Sequence, residues 1–105
     1  MYYFGTRITQ QNLGTDLVVE NGEPVRIFEI YITNTSGADI TMTAQGQDSD
    51  GNVIFTKKFW VSGEVGGDAY IQTPFIADNG FKLTALGSAN ANLIQATVMH
   101  TSPGS

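Results

Sequence analysis

VRIFEIYIT, residues 25–33, decides the fold. It is dense in β-branched and aromatic residues, carries no helical spacing of apolar positions, and runs into the turn cluster Asn34–Gly37. That makes it a strand. Its side chains alternate in two sets, Val25, Ile27, Glu29 and Tyr31 against Arg26, Phe28, Ile30 and Ile32. Both sets are largely apolar, which predicts a central strand covered on both faces, more heavily on the Phe28/Ile30/Ile32 side.

The same period of two recurs on either side of it. Downstream, Ile40–Gln45 alternates Ile40, Met42 and Ala44 against Thr41, Thr43 and Gln45, a half-buried strand. Asp48-Ser-Asp-Gly-Asn52 then reads as a hairpin turn of type I′ centred on Asp50-Gly51. Val53–Val61 returns with Val53, Phe55, Phe59 and Val61 facing one way and Ile54 and Trp60 the other; Lys57 interrupts the first stripe, so part of that face is expected to be wet. The glycines of Ser62–Asp68 mark a flexible loop, and Ala69–Phe75 is a strand that meets Pro74, a residue confined to sheet edges and strand ends. Ala77–Gly80 is a turn, Phe81–Leu86 a strand, Gly87–Asn92 a polar loop and Leu93–His100 the last strand. Upstream, Tyr2–Thr9 and the short Asp16–Glu20 are strands.

About eight short strands with no amphipathic helix to cover them leave one class of solution: sheets must cover each other. The expected fold is all-β, an antiparallel β-sandwich of jelly-roll or Ig-like type. Residues 1–105 form one domain, with an N-terminal arm at 1–5 and a flexible tail at 101–105. At this length a chain buries roughly two thirds of its unfolded surface, enough for one thin core.

Composition narrows the function. Ten acidic residues against five basic ones give a net charge of −5, which phosphate backbones repel, and the basic residues Arg7, Arg26, Lys57, Lys58 and Lys82 form no run; nucleic acid is not an expected partner. No cysteine is present, so disulfides and thiolate metal sites are excluded. The start, MYYFGTRITQ, has neither the basic nor the apolar region of a signal peptide, and no apolar run nears the roughly 18 residues of a membrane span; the mature chain is expected to begin near Met1 with no membrane partner. Charged residues are only 14%, and Thr, Ser, Asn and Gln supply most of the polar surface, a composition that suits packing against neighbours or binding sugars.

The inventory for catalysis is poor. The single histidine, His100, has no G-x-S-x-G elbow to serve and reads as a strand-end residue at the surface. One histidine cannot anchor a zinc site within the chain. Asp48, Asp50 and Asn52 hold positions 1, 3 and 5 of a calcium loop, but glycine falls at position 4 and Phe59 stands where the bidentate glutamate belongs, so an acidic hairpin turn is the better reading. Asn34-Thr35-Ser36 is a formal glycosylation sequon. No catalytic residue, cofactor or metal is assigned, and an enzyme is not expected.

Aromatic residues are the remaining lead. Most belong in a core. Tyr2-Tyr3-Phe4, however, places three on successive residues, and Phe59-Trp60 points two in opposite directions. One interior cannot take both sets. Tyr2, Tyr3, Phe4 and Trp60 are therefore the candidate interface anchors.

TPFIADNGFKLTALGSANANLIQATV (Thr73–Val98), with DSDGNVIF (Asp48–Phe55) and ITNTSGADITMTAQ (Ile32–Gln45), resembles the small all-β virion proteins of tailed bacteriophages over the last two thirds of the chain. The shared pattern is a Pro-Phe strand, an Asn-Gly turn, a short strand, an Ala/Ser/Asn-rich loop and a β-branched final strand; it carries no functional motif, so it assigns no residue a role. The resemblance implies a capsid decoration or cement protein, made in the host cytoplasm and carried on the capsid surface. Its partners would be itself, as a homotrimer, and the major capsid protein. A tail or fibre component belongs to the same reading. The alternative from a different class is a carbohydrate-binding or other ligand-binding β-sandwich module, using exposed Trp60 as a sugar platform.

Overall fold

The computed structural model describes residues 7–61, 68–72 and 74–101. They form β1 (Arg7–Asn12), β2 (Leu17–Val19), β3 (Val25–Asn34), β4 (Ile40–Gln47), β5 (Val53–Val61), β6 (Asp68–Ile71), β7 (Phe75–Ala77), β8 (Phe81–Leu86) and β9 (Ile94–Thr101), with a single 3-10 turn at Ala91–Leu93. Sheet A has the order β1-β9-β3-β6, and β7 pairs with β3 farther along the same edge; sheet B has the order β2-β8-β4-β5. All pairings are antiparallel.

The connectivity is a nested hairpin. β4 pairs with β5, β3 with β6 and β7, β2 with β8, and β1 with β9. That ribbon rolls up so that β9 meets β3 in one sheet and β8 meets β4 in the other. The result is a β-sandwich wound as a jelly roll, with β6 and β7 acting as one interrupted edge strand.

Its core is the space between the sheets, filled from sheet A by Val25, Ile27, Ile30, Ile32, Ile94, Ala96 and Val98 and from sheet B by Leu17, Val19, Met42, Val61, Phe81 and Leu83. Each large aliphatic side chain here contributes roughly 1.5–3 kcal/mol by leaving water. A bulge makes β3 fit. The register against β9 slips between Ile27 and Glu29, because Ile27 faces His100 while Glu29 faces Met99. The extra residue resets the alternation, so Val25, Ile27, Ile30 and Ile32 are all buried while Arg26 and Tyr31 are exposed. Strict alternation had placed Val25 and Ile27 opposite Ile30 and Ile32. The strand is central, as expected, but Val25, Ile27, Ile30 and Ile32 share the inner face, and Phe28 lies with Arg26 on the other.

Other boundaries move for identifiable reasons. The expected Ala69–Phe75 strand is two strands, β6 and β7, interrupted before Pro74, which has no N–H for the ladder. Of the tail expected at 101–105, Thr101 instead closes β9 opposite Arg26, and residues 102–105 lie outside the described residues. β1 begins at Arg7 among the described residues; the arm at 1–5 and the loop Ser62–Gly67 lie outside them. The Asp48–Asn52 hairpin is present, but not as a type I′ turn: among non-glycine described residues only Glu20 has positive φ, so Asp50 does not. Gly51 takes the left-handed conformation at φ 89° and donates to the Asp48 carbonyl at 3.0 Å. The Asp48 carboxylate imposes this shape, its Oδ1 accepting from the N–H groups of Asp50 and Asn52 at 3.0 Å each.

Two features join the sheets. Phe55 of β5, Phe75 of β7 and Phe81 of β8 form an aromatic cluster with ring centroids 5.2–5.8 Å apart. Gly46 on β4 makes room for it, because a Cβ there would collide with the Phe55 and Phe81 rings. Asn34, buried at the end of β3, donates through Nδ2 to the Ala38 carbonyl at 2.7 Å and to the Val61 carbonyl of sheet B at 3.2 Å, while its Oδ1 accepts from Ser36 N–H at 2.9 Å. The sequon asparagine is thus a structural staple rather than an open acceptor.

Candidate functional site

Trp60 lies on β5 opposite Thr41 and is 66% exposed. Its neighbours Phe59 and Val61 are buried, so alternation alone aims the indole away from the core. Of the four interface candidates it is the one the structure describes; Tyr2, Tyr3 and Phe4 lie outside the described residues. The register shows what shares its face. Lys58 stands opposite Thr43, and Thr43 opposite Leu86; Thr56 stands opposite Gln45, and Gln45 opposite Thr84; Gln47 stands opposite Lys82. The outer surface of sheet B is therefore rich in Thr and Gln and carries one indole and two ammonium groups, with the exposed Val18, Ile54 and Leu86 around them. The four strands of this sheet hold Lys57, Lys58 and Lys82 and no carboxylate at all. Acidic residues adjoin the sheet at strand ends, as Asp16, Asp39 and Asp48. Lys57 shares the inward row of Ala44, yet it sits on the edge strand and is exposed, as the interrupted stripe predicted. Lysines on an edge also deter strand-on-strand aggregation. Thr84 is buried, and its Oγ1 has no hydrogen-bond partner.

The outer surface of sheet A differs. Ile8 of β1 (64% exposed) lies opposite Met99 of β9, and Ile76 of β7 (66% exposed) lies opposite Arg26 of β3. Arg26 places its guanidinium 5.1 Å from the Phe28 ring centroid, over the ring face. A shallow depression of about 310 Å³ is lined by Arg26, Pro74, Phe75 and Ile76. These side chains cluster toward one end of the sheet, around the start of β1.

His100 is not at the surface. It points inward from β9 and is 3% exposed, which corrects the surface reading; the reason is that it falls in register with the buried Ile94, Ala96 and Val98. Its Nε2 is hydrogen-bonded to Thr9 Oγ1 at 2.9 Å, and its Nδ1 is buried without a partner. Beside it, Arg7 donates to Glu20 Oε1 at 2.6 Å, tying sheet A to the residue after β2. Burial pushes the imidazole below its ordinary pKa; Glu20 acts to raise it and Arg7 to lower it. Among the described residues the imidazole's one side-chain partner is the Thr9 hydroxyl, so the cluster ties β9 to β1 as a structural latch.

The Asp48 loop is similarly committed. Desolvation pushes the Asp48 carboxyl up, but hydrogen bonds from the backbone and side chain of Asn52 and from the N–H groups of Asp50 and Gly51 outweigh it and hold the group below its ordinary value. Asp48 Oδ2 accepts from Asn52 Nδ2 at 3.3 Å, and Asp50 Oδ2 accepts from Asn79 Nδ2 at 3.1 Å, so these carboxylates shape the hairpin and moor it to the turn before β8. Among the described residues no three His, Cys, Asp or Glu side chains gather as a metal site.

Sequence reasoning found Trp60 but missed the charge segregation of sheet B. The signal was present: β4, β5 and β8 lack acids, but only the strand order reveals that they are neighbours. No protein-family model, no curated protein and no solved structure matches this chain.

Proposed function

We propose that the protein is a virion structural protein of the capsid-decoration or cement type, a homotrimer that stabilises a shell by contacts with the major capsid protein. The observation that carries this reading is the outer face of sheet A. A jelly roll needs its inner faces for a core; Ile8 and Ile76, 64% and 66% exposed, point away from it, and the half-buried Met99 and Phe28 share that outer face, a surface suited to a neighbour. The jelly roll suits such work because its rigid sheets hold a docking surface in fixed geometry. Net charge −5 disfavours nucleic acid as the partner, and among the described residues no helix is long and apolar enough to cross a membrane. We assign the segment carrying Tyr2, Tyr3 and Phe4, which precedes β1 in the sequence, to shell binding.

Size exclusion with light scattering tests the assembly. A particle of three 11.3 kDa chains is expected. A monomer at every concentration, combined with no co-sedimentation with purified capsid shells, would overturn the proposal. Removal of the residues before Gly5 is expected to abolish shell binding while leaving the sandwich folded.

A further inference from the structure

We infer that the outer face of sheet B is a binding platform for an anionic glycan, with Trp60 stacking on a sugar ring and Lys58 and Lys82 pairing with the sugar's carboxylate or sulfate groups. This inference stands apart from the assembly reading, since it uses the opposite face of the sandwich.

Three observations meet on this surface. The first is a stacking group. Trp60 presents a planar, largely exposed indole, and the apolar face of a pyranose ring lies flat against such a plane. The second is a hydrogen-bonding field. Thr41, Thr43, Gln45 and Thr56 project from the same side of β4 and β5, giving hydroxyl and amide groups at two-residue intervals of about 7 Å along each strand. The third is charge. Three of the five basic residues of the chain lie on this sheet, no acidic residue lies on its strands, and the chain as a whole is at −5. Among the described residues none of these lysines forms an ion pair. Edge protection accounts for Lys57 and Lys58 on β5, but not for Lys82, because β8 lies inside the sheet between β2 and β4. Lys58 faces Thr43 and Lys82 faces Gln47, so the two cationic rows are four residues, about 13 Å, apart along β4. That separation suits a chain of repeating acidic sugars rather than a single small anion.

The same observations select among occupants. A protein partner would call for an apolar centre with a polar rim, whereas the centre of this face, around Gln45 and Thr43, is polar. A single-stranded nucleic acid is gripped by several stacking aromatics in a basic groove, and this face has a single indole in an acidic protein.

Trp60 is the only tryptophan, so its fluorescence reports on the face directly. The full chain is titrated at low salt with oligogalacturonate, heparin oligosaccharide, neutral cello-oligosaccharide and oligothymidylate, with affinity electrophoresis as a second readout. An emission shift with the acidic sugars is expected, weakened at least tenfold by Lys58→Gln or by raised salt and abolished, by electrophoresis, in Trp60→Ala, with circular dichroism unchanged in both variants. No response to either acidic sugar, equal binding of the neutral sugar, tighter binding of oligothymidylate, or an unchanged affinity in Lys58→Gln would each overturn the inference. The oligomeric state of the protein has no bearing on the result, so failure here is separable from failure of the trimer.

Discussion

The two outer faces of this sandwich share one core and have little else in common. Sheet A turns Ile8, Met99, Phe28 and Ile76 outward, with a guanidinium laid over one ring. Sheet B turns out threonines, glutamines and lysines around a single indole, with Val18, Ile54 and Leu86 exposed toward its margins. In a two-layer fold the inner faces are dictated by packing, so their residues are interchangeable apolar shapes. The outer faces are under no such constraint. The clearest difference between them is charge: the strands of sheet B carry three lysines and no carboxylate, whereas sheet A carries Glu29 and Asp68 beside Arg7 and Arg26.

Charging the apolar face should break this contrast most completely. The double substitution Ile8→Asp and Ile76→Asp is expected to reduce the particle to one chain mass by light scattering while leaving sugar binding at sheet B unchanged. A trimer that survives both charges would place the interface elsewhere.

Gly46→Ala comes next. It strikes the core that both faces share, by forcing the Phe55–Phe75–Phe81 cluster apart, and overpacking of this kind costs about 1–3 kcal/mol. Urea melts should show it as a lowered midpoint. If stability is unchanged, the aromatic cluster has more slack than the ring contacts imply.

Acid should act on sheet A before sheet B. The folded chain holds His100 below its ordinary value of 6.5, so at pH values just under 6.5 the unfolded chain binds more protons than the folded one. Stability is then fully present above 6.5 and falls as the pH drops through the unfolded value toward the folded one. The groups facing the imidazole are Thr9 and Arg7 of β1 and Glu20 beyond β2. Thermal melts from pH 7.5 to 5.5 should show a falling midpoint, and His100→Gln should flatten that slope.

The smallest expected effect is at Thr84, whose buried hydroxyl has no partner. Thr84→Val keeps the shape and removes the unsatisfied group, which should leave stability unchanged or raise it by up to about 1 kcal/mol. A clear loss would mean that the hydroxyl is hydrated through the face of sheet B.

Much of this architecture was readable one strand at a time. Val53–Val61 was bounded to the residue, and the buried and exposed sets of β4 follow its alternation, because period two is a local property of an extended chain. What failed was whatever depends on a partner. The bulge at Phe28-Glu29 inverts half of β3, and nothing in VRIFEIYIT marks the extra residue, since Phe and Ile are equally apolar. His100 looked terminal and exposed; only its register between Arg7 of β1 and Ile27 of β3, with its ring bonded to Thr9, reveals that the last strand carries it into the interior. For the candidate faces the division is the same. Trp60 was visible as a surplus aromatic, whereas the lysine plane of sheet B needed the pairing of β8 with β4 to bring Lys82 onto one surface with Lys58.

The closure of β1 against β9 has a further consequence, which falls on synthesis. Asn12 must wait for Gln95, its partner in the ladder, to leave the ribosome. At about 5–20 residues per second that delay is on the order of ten seconds. Through that interval β3 lacks its β9 neighbour along nearly its whole length, and Ile27, Ile30 and Ile32 have half a sheet behind them. The nascent chain thus carries an open, strand-templating edge until Ile94–Thr101 arrives, and an interruption of translation near residue 90 would release a species poised to add foreign strands.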